Sequence, residues 1–387
     1  MKHKLPLKTI AVLSAALCIC SYAMPTISAS NMITVSAAQS SSNFMSDYKS
    51  KIVTTVPNNA VRGVAHKVEP ITYMSAKAGH EKPATVLLPE NYTTDKKYPV
   101  LYLNHGIFGG EYDMLGFSIA DMAYNLAASG EAKEMIIVCT QMFTAPEGNK
   151  PLNQTINSET EQKYDDFIYD LTESLMPYIE SHYSVATGKE NTGIAGFSMG
   201  ARESLYIGVS HPELFGYIGA ACPAPGAVPG RDNFGNHIGS MTEDEFRIDA
   251  DKMPYMLMIA GGTNDGVVGD FPKQYSNLLT KNETDHIFIE IPGGDHGGSV
   301  VTPMMYNFLK CAFQATPSST TSDNIKGDVN HDGDFNISDV VLLQKWLLSV
   351  PNTELADWKA ADMSDDNTLD VSDLCLMKNK LTGKTSV

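Results

Sequence analysis

Asn191-Thr192-Gly193-Ile194-Ala195-Gly196-Phe197-Ser198-Met199-Gly200-Ala201-Arg202-Glu203-Ser204-Leu205 is the stretch on which the fold turns. Residues 191–195 are small or apolar and read as the end of a buried strand. Residues 201–209 read as an amphipathic helix. Between them, Gly196-Phe197-Ser198-Met199-Gly200 has the G-x-S-x-G form of a serine on a tight strand-to-helix turn. Glycines flank such a serine because neighbouring chains come close and a Cβ would clash. The amide after the serine then faces the point where an oxyanion forms.

Working outward, further apolar runs lie at 84–88 (closed by Pro89), 98–103, 134–139, 255–260 and 286–291. Continuous apolar strands are buried on both faces, the habit of a parallel sheet covered by helices. A long helical stretch at 164–183 supplies part of that cover. The alternation predicts an open, mostly parallel α/β sheet over residues 61–314. The chain has 387 residues, 43% hydrophobic and 19% charged, which excludes a disordered or fibrous protein. Its formal charge of −17 argues against a nucleic-acid binder, which needs a basic surface.

Lys2, His3, Lys4 and Lys8 precede an apolar run at 10–22, followed by small residues that offer cleavage after Ala23, Ala29 or Ala38. The run has roughly 13 residues, short of the ~20 that a membrane helix needs, so residues 1–29 read as an export signal. Residues 30–60, rich in Ser, Ala and Asn in their first part, read as a mobile leader. Cys139, Cys222, Cys311 and Cys375 are too widely spaced for a disulfide framework and read as buried free thiols. Residues 315–325 are a Ser/Thr linker with Pro317 near the start.

A serine nucleophile needs a base. His296 lies in a glycine-rich loop after the strand ending at Ile291, whereas His105 precedes Gly106 and reads as part of the oxyanion loop. The imidazolium needs a carboxylate to orient it. Asp265 follows the strand at 255–260; Asp270, Asp285 and Asp295 are less well placed rivals. Ser198, Asp265 and His296 then stand in the chain order of an α/β-hydrolase. Met199 and Ile107 are the expected main-chain donors of the oxyanion hole. Phe108, Tyr112 and Phe143 are the aromatic residues near that loop.

With these residues in hand, the region 62–314 resembles family 1 carbohydrate esterases, the feruloyl and acetylxylan esterases related to esterase D. The resemblance extends to Tyr98-Pro99-Val100-Leu101-Tyr102-Leu103-Asn104-His105-Gly106-Ile107, to Leu175-Met176-Pro177-Tyr178-Ile179-Glu180, and to the stretch from Ser198 to Leu205. Asn104 departs from it, standing where an apolar residue is commoner. The resemblance implies two-step acyl transfer on plant cell-wall xylan without a cofactor. Feruloyl ester hydrolysis is the first expectation and acetylxylan deacetylation the second. Acyl transfer to another acceptor, or a silent binding module, stand further off.

Residues 326–387 contain a repeat offset by 34 positions. Asp328, Asn330, Asp332, Asp334, Asn336 and Asp339 occupy positions 1, 3, 5, 7, 9 and 12 of a calcium loop, with Gly333 at the sharp turn. Asp362, Ser364, Asp366, Thr368, Asp370 and Asp373 repeat the pattern, so two calcium ions are expected. An apolar-faced helix follows each loop, and the two units should pack on each other. No helix precedes the first loop. That arrangement is similar to type I dockerins, which implies a cohesin partner on a cellulosome-like scaffold. The family's partner-reading positions fall here on Ile337, Ser338, Val371 and Ser372, with Gln344, Lys345 and Lys378 further along the helices.

Overall fold

Buried Val, Ile and Leu runs build the centre of an eight-stranded sheet in the computed structural model. The structure describes residues 44–232, 235–315 and 326–381, except 331–334, 336, 351–352, 354, 356–357, 365 and 367. The residues read as an export signal and most of the linker lie outside them. Strands β1 (Lys67–Ser75), β2 (His80–Leu88), β3 (Val100–Asn104), β4 (Ile136–Cys139), β5 (Thr192–Phe197), β6 (Tyr217–Ala221), β9 (Met256–Gly262) and β10 (Ile287–Ile291) are ordered β1-β2-β4-β3-β5-β6-β9-β10. The pairs from β4 to β10 are parallel, and β2 pairs antiparallel with β1 and β4. A small separate hairpin joins β7 (Gly230–Arg231) to β8 (Asn236–His237).

The helices are α1 (44–49), α2 (Ile119–Ala128), α3 (Ser158–Asp165), α4 (Phe167–Asp170), α5 (Met176–His182), α6 (Met199–Ser210), α7 (Phe271–Lys281) and α8 (Gly298–Cys311). In β6, Ile218 meets α6 at Gly208 while its neighbour Gly219 meets Met304 and Phe308 of α8. Successive strand residues point to opposite faces, so α6 and α8 cover opposite sides of the sheet. A Cβ at Gly219 would stand 2.8 Å from Met304. This explains why the central strand is the weakly patterned Tyr-Ile-Gly-Ala-Ala, which sequence reading passed over.

Two expectations need correction. Residues 44–60 are not a mobile leader: Met45, Tyr48 and Ala60 are buried in the main core. The Tyr48 hydroxyl donates to the Asn307 carbonyl at 2.8 Å, and the Asn307 side chain bridges both backbone groups of Val53. Polar composition suggested mobility, but a few apolar anchors and one buried amide suffice to seat the segment. The helix expected at 164–183 is also broken, with a π-helical turn over Leu171–Leu175 between α4 and α5. Pro177, in the first turn of α5, lacks the N–H that would continue a regular ladder.

Residues 326–381 form their own core from Val329, Val340, Leu343, Ala361, Leu374 and Met377. Helices α9 (Ile337–Leu347) and α11 (Val371–Leu381) pack together, with the short α10 (Trp358–Ala361) between them in sequence. Val340 and Leu374, like Leu343 and Met377, are buried at equivalent repeat positions, as two units too small to stand alone require.

Candidate active site

The carboxyl ends of the parallel strands bring distant residues to one rim. Ser198 sits between β5 and α6 with φ 56° and ψ −117°, a strained backbone for a residue with a Cβ. Close packing holds it there. A Cβ on Gly196 would lie 2.3 Å from the Gly200 carbonyl oxygen, and one on Gly200 2.3 Å from that of Asn104. The Ser198 N–H donates to Ala221 O at 3.0 Å, and Ala224 N–H donates back to Ser198 O at 3.1 Å.

His296 Nε2 lies 2.9 Å from Ser198 Oγ, and its Nδ1 lies 2.8 Å from Asp265 Oδ2. The carboxylate fixes Nδ1 as the protonated nitrogen, leaving Nε2 to accept from the serine. Asp265 Oδ1 accepts from the amides of Val267 at 2.9 Å and Val268 at 3.0 Å. Burial pushes this carboxyl up, but the His296 bond and the two amides outweigh it and hold it below its ordinary value. The rival carboxylates stand apart: Asp270 precedes α7, Asp285 is exposed, and Asp295 bonds Ser299.

His105 is buried beside Gly106 O and Gln141, and burial lowers its affinity for a proton. The loop it opens lies against the serine, since a Cβ on Gly106 would stand 3.6 Å from that of Ser198. Phe108, at φ 61°, donates its amide to the Tyr164 hydroxyl at 2.9 Å, whereas among the described residues no hydrogen bond occupies the Ile107 amide. Met199 opens α6, so its amide has no carbonyl one turn back. Asn104 proves to be a tie: it donates to Ser204 Oγ at 3.1 Å and accepts from Thr140 at 2.7 Å, joining β3 to α6 and to the segment after β4.

Several neighbours escaped sequence reading. Phe197 lies against the His296 ring. Buried Cys222, at the end of β6, has its sulfur within 4.8 Å of the Asp265 and His296 ligand atoms. Burial and the Asp265 charge raise this thiol, keeping it neutral. Arg202, one turn past the serine, is buried among Asp165 at 2.6 Å, Glu203, Ser240 at 2.8 Å and Gly226 O at 3.0 Å. Phe143 is buried against Tyr164, and Tyr112 is exposed. Of the four cysteines among the described residues, Cys139, Cys222 and Cys311 are buried, but Cys375 on α11 is exposed.

In the C-terminal module, Asp328, Asp339, Asp362 and Asp373 are all buried. Asp339 Oδ1 accepts from Val329 and Asn330 amides at 3.0 and 3.3 Å. Asp373 accepts from those of Ser364 and Asp370, each at 3.0 Å. Each loop thus folds its first and last carboxylates inward, an oxygen-only donor set that suits a hard cation. Ser364, Asp366, Thr368 and Asp370 are exposed at the second loop, and Asp332, Asp334 and Asn336 of the first lie outside the described residues.

A family model described as Esterase matches residues 75–246, and the Dockerin type I domain model matches 326–382. Such dockerins bind calcium and imply a cohesin partner. The endo-1,4-beta-xylanase/feruloyl esterase of Xylanibacter ruminicola is 30% identical over 158 residues, 39% of this chain and 21% of that protein. Endo-1,4-beta-xylanase Y of Acetivibrio thermocellus is 24% identical over 255 residues, 60% of this chain and 22% of that protein. The chain thus matches about a fifth of the length of these relatives. The structure of a CE1 ferulic acid esterase from Anaeromyces mucronatus, in complex with ferulic acid, is 44% identical with a TM-score of 0.65, covering 68% of this chain and 98% of that one. With this similarity over nearly the whole of a solved relative, the chain belongs to the CE1 esterase family and carries a type I dockerin domain.

Proposed function

We propose that this chain hydrolyses feruloyl esters of plant cell-wall xylan by acyl transfer through Ser198, with His296 as base and Asp265 as its orienting carboxylate. The Ser198–His296–Asp265 chain of hydrogen bonds, at 2.9 and 2.8 Å, carries this reading. Ser198 Oγ attacks the ester carbonyl carbon while its proton passes to His296 Nε2. The amides of Ile107 and Met199 hold the developing oxyanion, each such donor typically contributing ~3 kcal/mol. His296 returns the proton to the departing sugar oxygen, and the C–O bond breaks. Water then attacks the acyl-enzyme, giving its proton to His296; collapse releases the acid and restores Ser198. The steps balance with water and the chain's own groups.

The dockerin serves as the tether. Asp328, Asn330, Asp332, Asp334, Asn336 and Asp339 would hold one calcium ion; Asp362, Ser364, Asp366, Thr368, Asp370 and Asp373 would hold the other. The ions neutralise carboxylates that the fold buries. Ile337 and Val371, exposed by 58% and 66% at equivalent repeat positions, suit contact with a cohesin; Ser338 and Ser372 follow them in sequence and complete the proposed contact. This reading puts the protein outside the cell, on a cellulosome-like scaffold, with residues 1–29 as its export signal. No described helix is long and apolar enough to cross a membrane.

The test is release of ferulate from feruloylated arabinoxylan fragments beside release of acetate from acetylated xylan. Ferulate release supports the proposal. Acetate release alone replaces it with deacetylation. Absence of both, with no phosphonate labelling of Ser198, overturns the enzymatic reading.

A further inference from the structure

Asp265 and Ser198 hold the two nitrogens of His296, and two points leave a ring free to pivot about the line between them. A third contact is present. The Phe197 ring lies 4.8 Å from the His296 ring, centroid to centroid, with 40° between the planes. Phe197 is half-buried and confined on its other sides. Phe117 packs against it with centroids 5.4 Å apart at 64°. A Cβ on Gly106 would stand only 3.4 Å from Phe197 Cδ1. Phe117 is seated in turn by Thr302, whose hydroxyl donates to its carbonyl at 3.4 Å, and by Gly298, two residues beyond His296.

An aromatic face within about 6 Å of a cation attracts it. His296 becomes a cation only while it carries the serine proton. The geometry points to Phe197, backed by Phe117, as a positioning residue that braces the His296 ring and favours its imidazolium as the transition state forms. The inference rests on the acyl-transfer reading and adds to it a residue that acts through the His296 ring. Its contribution falls on kcat rather than KM, because the interaction strengthens only after Ser198 gives up its proton. Contacts of this kind, at about 0.5–2 kcal/mol, correspond to about 2- to 30-fold in rate.

The experiment compares the wild-type chain with Phe197→Leu, Phe197→Met, Phe197→Tyr and Phe117→Leu on a soluble feruloyl ester, with kcat, KM and thermal melting measured for each. Leucine and methionine keep apolar bulk without the π-face; methionine serves if leucine melts early. Loss of the ring should lower kcat about 2- to 30-fold with KM within about twofold. Tyr, which keeps the ring, should restore kcat, and Phe117→Leu should fall in between. A purely structural role predicts that kcat follows only the folded fraction seen in thermal melts and that Tyr rescues no better than Leu, and that result overturns the inference. A raised KM at constant kcat also overturns it, by making Phe197 a substrate contact. Failure of the wild type to hydrolyse any ester would instead remove the underlying reading.

Discussion

Gly200→Ala tests whether the serine turn and the oxyanion loop depend on one close approach. The added Cβ would lie 2.3 Å from the Asn104 carbonyl oxygen and 2.4 Å from that of His105. Both are backbone atoms, so no rotamer change relieves the contact. Reaching ordinary contact distance requires α6 and the end of β3 to separate by about 1 Å. That movement draws the Met199 amide away from the Ile107 amide. Displacements of about 1 Å at a reacting centre cost about 100-fold, and loss of one oxyanion donor costs roughly 100- to 1,000-fold. Overpacking should lower stability by about 1–3 kcal/mol, which in a domain of about 250 residues lowers Tm by roughly 2–12 °C. The assay is kcat on a feruloyl ester together with thermal melting. Gly63→Ala serves as control, since nothing lies within 4 Å of its added Cβ. A Gly200→Ala protein with kcat within about twofold and an unchanged Tm would refute the argument from close approach.

Ser198→Ala should lose activity by more than about 10,000-fold while staying folded. Ser198→Gly, equally inactive, should melt higher by about 1 kcal/mol, because glycine accepts the strained backbone; equal melting would mean that the turn stores no strain. For pH, burial lowers the proton affinity of His105 from the ordinary value of 6.5. The unfolded chain therefore takes up a proton that the fold resists, and stability declines as pH falls below about 6.5, with a slope of at most about 1.4 kcal/mol per pH unit. His105→Gln should flatten that slope between about pH 5 and 7 in denaturant melts, and an unchanged slope removes His105 as its source. Chelation of calcium should unfold residues 326–382, seen as loss of cohesin binding and new protease sites, while ester hydrolysis persists; loss of hydrolysis on chelation would show that the two functions are coupled.

Local pattern announced much of this protein. The Ser198 turn was legible because G-x-S-x-G, a small apolar strand and a helix stand side by side in the chain. The calcium loops were legible because their oxygen-bearing residues recur at fixed spacing, twice. His296 and Asp265 could be named because each follows a readable strand, although only folding sets them 2.8 Å apart. The central strand β6 was not legible, since the small residues that let α8 pack against it erase the usual strand signal. Nor was the seating of residues 44–60, which depends on Asn307 more than 250 positions away.

Sequence alone determined the chemistry on offer: a hydroxyl on a forced turn, an imidazole, a carboxylate, and two rings of oxygen donors. These are properties of residue type and short spacing, and short spacing survives without knowledge of the fold. Tertiary structure decided what surrounds that chemistry. It turned Phe197 toward the imidazole, put Cys222 behind the carboxylate, and withdrew Phe143 into the core. Such placements arise from packing between strands and helices far apart in the chain, which no local pattern encodes.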